Sequence, residues 1–515
     1  MSSGDVVEES ASAPPVGDLR QVGVRSVRWS AGAVLGRQAS QIVAALVLAR
    51  VLGPQQYGVI SAATVYVTLT TLLLDQGLAA ALVQRPALTP RTPGAVATAN
   101  LVFALLFAAL TWVAAPWIAA FFRADALAGL VRVLGLGLIL KAAAITPRAM
   151  NQRRLRFHVI GVADIVGGAA GSAAGIVAAL EGAGTWALAV QVLLTDIAVA
   201  VVLLARTRGT KPNLALAELL TVLPFSLRIF GSNGLAYLSR NLDNVLVGRV
   251  LGVSALSLYS MAYRVLVIPV QMVGQTTNRV TFPLLSRLSS DRAALRATVA
   301  RTTELLAFMA IPAMGLIAVA SPELVLLVLG GKWSATAPVL TILCVAGARE
   351  TVFSVTQSLM RAAGAGRLVL RYEVLAACVQ LSGIVVGLQF GLIGVALGVT
   401  VAGFALSPVM LLIQRRLAGV RIRSQLMLIA APAHAAVWGA AGYVGIGHLV
   451  AWVDGGNLLK ALVGTLAYVL IAFVVLLVAH RPAARRALVA GRALVSRRTP
   501  GSTVQKPANQ GLPHS

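Results

Sequence analysis

Apolar runs of about twenty residues, separated by short polar or basic stretches, recur along almost the whole chain. A helix rises about 1.5 Å per residue, so a run of that length matches the ~30 Å apolar thickness of a bilayer. The pattern predicts fourteen spans, near 29–49, 58–80, 94–120, 127–146, 159–180, 184–205, 224–250, 256–278, 302–320, 335–360, 370–388, 392–413, 426–447 and 457–479. The ten-residue alternation of a membrane β-barrel is not present in it. Pro116, Pro269, Pro312, Pro408 and Pro432 fall inside spans, where neighbouring helices can satisfy the freed carbonyls. The expected fold class is therefore an all-α polytopic membrane protein.

The segments between the runs test this count. If residues 1–28 are cytoplasmic, alternate loops collect the cations: Arg148, Arg153, Arg154 and Arg156 in one, Arg287, Arg292 and Arg296 in another, Arg415, Arg416, Arg421 and Arg423 in a third. The opposite loops hold only Arg50, Arg123, Arg249 and Lys332. Basic residues are retained on the cytoplasmic side, so this asymmetry places both termini there, in a bacterial inner membrane. It also accounts for a formal charge of +26 in a chain that is 58% hydrophobic and only 12% charged. Nucleic acid is not needed as a partner. Residues 1–20 are polar and carry no apolar core before a small-residue site, so no cleavable signal peptide is expected there. Cys344 and Cys378 lie within apolar runs, and the five histidines are scattered, which points to neither a disulfide framework nor a metal site.

An internal repeat organises the spans. Arg50-Val51-Leu52-Gly53 ends the first and Arg249-Val250-Leu251-Gly252 the seventh, each followed by a tyrosine, Tyr57 or Tyr259. Two like bundles of six helices are a known transporter plan. The expected division is a tail at 1–28, a bundle at 29–205, a linker at 206–223, a second bundle at 224–413, two additional helices at 426–480 and a basic tail at 481–515. A pseudo-twofold axis would relate the two bundles.

The residues that carry the repeat also carry a resemblance. Residues 50–58 (RVLGPQQYG), 74–78 (LDQGL) and 82–85 (LVQR), then 243–252 (DNVLVGRVLG), 259–264 (YSMAYR), 282–287 (FPLLSR) and 330–333 (GGKW), resemble the polysaccharide transporter family. These are the Wzx-type oligosaccharide flippases of the multidrug/oligosaccharidyl-lipid/polysaccharide exporter superfamily. The resemblance covers about residues 25–480. It implies two six-helix bundles around a central cavity and movement of undecaprenyl-diphosphate-linked oligosaccharides from the cytoplasmic to the outer leaflet. Membrane lipids, a polysaccharide polymerase and glycosyltransferases would be the partners, and no catalysis or cofactor is implied.

Charged groups at membrane depth are costly and therefore functional candidates. A diphosphate needs compensating cations in a low-dielectric cavity, and arginine supplies paired planar donors. The candidates for substrate binding are Arg37, Gln41, Arg240, Arg264 and Asn233. Those for gating or ion coupling are Asp75, Arg228 and Asp243, with Asp196 as a further ion-coupling group. The competing structural reading pairs Arg240 or Arg264 with Asp243. Glycines at four-residue spacing (Gly167, Gly171, Gly175) read as a packing face. Gly330-Gly331-Lys332-Trp333 lacks the spacing of a phosphate loop, so direct nucleotide drive is not expected; coupling to an ion or to the membrane potential is left. A lipid-linked peptidoglycan precursor flippase and a cation-coupled drug exporter are the nearest alternatives. A membrane-embedded glycan polymerase is disfavoured by the short outer loops.

Overall fold

The computed structural model describes residues 16–75, 78–85, 88–215, 217–219, 241–288, 290–452 and 456–481. Among them every regular element is a helix: α1 (Val16–Asp75), α2 (Leu78–Gln84), α3 (Thr92–Phe122), α4 (Ala126–Arg153), α5 (Phe157–Leu180) and α6 (Trp186–Arg206). A helical segment at 241–250, here α7, precedes α8 (Val253–Arg287), α9 (Arg292–Val319), α10 (Ser321–Val328) and a 3₁₀ turn at Gly331–Trp333. Then come α11 (Thr336–Ala362), α12 (Gly366–Leu388), α13 (Gly391–Ala405), α14 (Ser407–Ala418), α15 (Ile422–Trp452) and α16 (Asn457–Ala479).

Eleven of the described helices are long and apolar enough to cross a membrane. They account for all the expected spans except the first, seventh and eighth. The first two share α1, whose 60 residues would reach about 90 Å if straight, three times the apolar thickness. α1 is divided instead at Gly53, where φ of 73° and ψ of 175° leave the helical region. Pro54 follows and has no amide hydrogen to continue the ladder. Most of the seventh span, 224–240, lies outside the described residues, as do the side chains at 267–280 in the eighth.

The chain forms two compact units. The first comprises Met1–Val265, Leu324–Leu340 and Ala377–Val399; the second comprises Leu266–Glu323, Thr341–Ala376 and Thr400–Ser515. In the first, α3 shows how the pattern is used. It buries Ala97, Asn100, Ala104, Ala108, Thr111, Ala115 and Ala119, and exposes Val102, Leu106, Leu110, Val113 and Trp117. Lipid tails are as apolar as leucine, so burial of large side chains gains little here, and small residues face inward because they allow close approach. The glycine face of α5 follows the same logic, as its spacing predicts. A Cβ on Gly167, Gly171 or Gly175 would run into Val199, Thr195 or Gln191 of α6.

In the second unit, α11 and the α13–α14 pair run side by side, joined by three hydrogen bonds in one register. Thr400 Oγ1 donates to Ile342 O at 3.3 Å, Arg349 Nε to Ser407 Oγ at 3.1 Å, and Gln414 Nε2 to Thr356 Oγ1 at 2.7 Å. Each pair is 58 residues apart in sequence, and the rungs repeat every seven residues, the period at which two helices keep facing each other. α13 passes into α14 at Leu406, whose backbone stays helical (φ −82°, ψ −12°), two residues before Pro408. α15 packs on α9 and α16. Tyr468 donates to Pro312 O at 2.9 Å, with its ring against Gly439. Buried Glu323 accepts from Lys460 Nζ at 2.5 Å and from the Tyr443 hydroxyl at 3.1 Å, tying the start of α10 to α15 and α16.

Candidate functional site: a polar cavity between α1, α7 and α8

The part of α1 beyond its break carries Tyr57, Ser61, Thr64 and Thr68 at spacings of four, three and four, so all four share one face. That face meets α7 and α8 within the first unit and bounds a cavity of about 120 Å³. Asn241 and Asn244 line it from α7, and Leu256, Ser260 and Arg264 from α8. Ser61 Oγ and Ser260 Oγ are hydrogen-bonded at 3.1 Å across it. Their numbers differ by 199, as do those of Arg50 and Arg249 (260 less 61, 249 less 50), so equivalent positions of the two repeats touch each other. The glycines ending the repeated motif also match in conformation, with φ of +73° at Gly53 and +88° at Gly252. α1 runs close to the start of α8 near these glycines, where a Cβ on Gly58 would collide with Val253 O.

Arg264 lines the cavity, half-buried among hydroxyl and amide groups, as a phosphate-binding cation would. Asp243 is held by neighbours on α7 and α8. Its carboxylate accepts from the Tyr259 hydroxyl at 3.0 Å and from the Asn244 amide at 2.8 Å. Among the described residues no ion pair joins it to Arg264. Gln41 is exposed on α1 and does not line the cavity. Arg228, Asn233 and Arg240 lie outside the described residues, as do the side chains of Arg37 and Asp75.

Among the described residues, other charges at membrane depth form ion pairs. Asp196 on α6 meets Lys141 on α4 at 3.2 Å, a contact the sequence reading did not foresee because it weighed Asp196 without Lys141. Asp164 receives both guanidinium nitrogens of Arg148, at 2.5 and 3.2 Å. Each pair is neutral and links neighbouring helices, the arrangement that makes such charges tolerable in an apolar medium. Among the described residues no cluster of metal-ligating side chains is present. The sequence reading also passed over Ser61, Thr64 and Thr68 and took Tyr57 only as part of the repeat, although their spacing alone marked a polar face within an apolar run.

Residues 47–338 match the family model described as polysaccharide biosynthesis protein. The lipopolysaccharide biosynthesis protein WzxC of Escherichia coli (strain K12) is 27% identical over 388 residues, 74% of this chain and 78% of that protein. The succinoglycan biosynthesis transport protein ExoT of Rhizobium meliloti (strain 1021) is 28% identical over 62% of this chain and 65% of its own length. Among solved structures, the lipid II flippase MurJ in an inward closed conformation superposes with a TM-score of 0.68 at 14% identity, over 87% of this chain and 99% of that one. An inward-facing multidrug resistance MATE family transporter superposes with a TM-score of 0.53 at 16% identity, over 74% and 95%. With its repeated motif, its apolar helices and this match over residues 47–338, the chain is a multi-pass membrane protein of the polysaccharide biosynthesis family.

Proposed function

We propose that this protein is a flippase. It carries undecaprenyl-diphosphate-linked oligosaccharide repeat units from the cytoplasmic to the outer leaflet of the inner membrane, for assembly of a surface polysaccharide. The observation that carries the reading is the cavity between α1, α7 and α8, where Arg264 stands among hydroxyl and amide groups within apolar helices. Membership of the polysaccharide biosynthesis family supports the substrate class. Both termini are cytoplasmic in this reading, from the arginine asymmetry of the loops. The end of the array at Gly53 and Gly252 is then the outer one.

The cavity of about 120 Å³ lies between α1, α7 and α8, within the apolar part of the array. Transport in this reading proceeds by alternating access, the cavity opening to one side and then to the other. The two bundles, 29–205 and 224–413, are the moving bodies in this scheme. Arg264, with Arg37 and Arg240, meets the diphosphate; Gln41 and Asn233 meet its surroundings; Asp75, Arg228 and Asp243 serve gating or ion coupling. One charge carried across the field exchanges about 2.3 kcal/mol per 100 mV, enough to bias such a cycle. The chain performs no catalysis, and polymerase and glycosyltransferases act before and after it.

Deletion of the gene in its native host tests this reading. Complete lipid-linked repeat units should accumulate, protected from outer-face probes, while the surface polymer disappears. Unchanged glycans with altered drug sensitivity would replace the reading with a drug exporter. Short, exposed, unpolymerised units would replace it with a polymerase.

A further inference from the structure

The repeated Arg-Val-Leu-Gly motif performs one task twice. The last turn of any helix leaves carbonyls without helical donors. At the end of α3, Ala119 O and Ala120 O are taken by the amides of Ala124 and Arg123. Phe121 O accepts instead from Arg249 Nη1 at 3.0 Å, with the guanidinium 5.2 Å from the Phe121 ring. At the end of α10, Val325 O and Leu326 O are taken by the amides of Leu329 and Gly330. Leu327 O and Val328 O accept from Arg50 Nη1, at 2.8 and 3.3 Å. The arginine of the first copy thus caps a helix that follows the second copy, and the arginine of the second caps a helix of the first half. Each meets the negative end of a helix dipole, where a cation is favoured.

Buried aromatic contacts reinforce the Arg50 side. The Trp333 indole donates to Ala49 O at 3.0 Å, and Tyr57 sets its ring edge-on to Trp333 at 5.7 Å. Trp333 is fully buried, whereas Arg50 is exposed. When Arg50 lets go, water can therefore take over both the guanidinium and the two carbonyls, so the bond is exchangeable.

We infer that Arg50 and Arg249 are positioning residues for transport, a reciprocal latch that holds the Gly53–Gly252 end of the cavity closed. Its contacts stand independently of the substrate; only its assignment to the outer face rests on the flippase reading.

Thiol labelling tests the latch. In the full chain with Cys344→Ala and Cys378→Ser, Thr64→Cys places a probe on the cavity wall for a membrane-impermeant maleimide added to intact cells. Removing both arginines (Arg50→Ala with Arg249→Ala) should raise the labelling rate at least about tenfold, the worth of even one of the three charge-assisted hydrogen bonds lost. Lysine at both positions should restore most of the protection and glutamine should not, which separates the charge from mere bulk. If the double-alanine chain does not reach the membrane, Arg50→Gln with Arg249→Gln, uncharged and of nearer size, gives the same reading. An unchanged rate in the variant that reaches the membrane overturns the latch. Labelling requires no glycan, so this failure is distinct from a deletion strain with normal surface polymer, which would overturn the flippase reading alone.

Discussion

Arg264 is the charged side chain on which the proposed site most depends, because it lines the cavity, whereas Asp164, Asp196 and Asp243 are each held by a protein partner. Arg264→Ala should reduce surface glycan in a deletion strain at least about tenfold while leaving the protein at normal abundance in the membrane. Arg264→Lys should fall between, since an ammonium keeps the charge but loses the paired geometry. Arg37→Ala and Arg240→Ala should each abolish transport in the same assay. Wild-type glycan from Arg264→Ala would remove the residue from the site. The sequence showed which charges lie at membrane depth, since depth follows from position along a span. It did not show which are neutralised. Asp243 meets Tyr259 sixteen positions on, and Lys141 meets Asp196 across α4 and α6, contacts decided by helix packing rather than spacing.

At the scale of the helix, close approach is what the small residues supply. Gly171→Ala places a methyl against Thr195 and the Gln191 carbonyl, with no flexible tip to move aside. We expect it to cost about 1–3 kcal/mol, read as a lower midpoint when detergent-solubilised protein is heated and the surviving folded fraction is measured. Gly36→Ala, with nothing within 4 Å of the added carbon, should leave the midpoint unchanged or raise it slightly. Equal losses from both would show that the spacing of α5 on α6 is not set by its glycines. This face was legible in advance because four-residue spacing fixes which residues share a side. The break at Gly53 was legible as the boundary between two spans, although α1 is continuous on either side of it. The hydrogen-bonded seam between α11 and α13–α14 was not foreseen. Its members are single polar residues in apolar runs, and nothing local identifies their partners.

At the scale of the whole molecule, the distribution of arginine makes the orientation testable. In a chain with Cys344→Ala and Cys378→Ser, Lys332→Cys should react with an impermeant thiol reagent on intact cells. Arg154→Cys should react only after the membrane is permeabilised. Both positions are exposed, so the contrast reports the side of the membrane rather than burial. The opposite pattern would invert the topology and, with it, the assignment of the arginine latch to the outer face. The membrane class and the repeat could be read from the sequence because the bilayer imposes length and the positive-inside bias imposes alternation. The cavity could be read only as a polar face, because its volume depends on how three helices converge.

The seam along α11 has a mechanical corollary. Successive rungs lie about 10 Å apart, so three of them brace roughly 20 Å of the pair, two thirds of the apolar thickness. A single contact would let two rods roll about each other; three in register resist both rolling and axial slip. Torque applied along α11 is then delivered to α13–α14 with little loss.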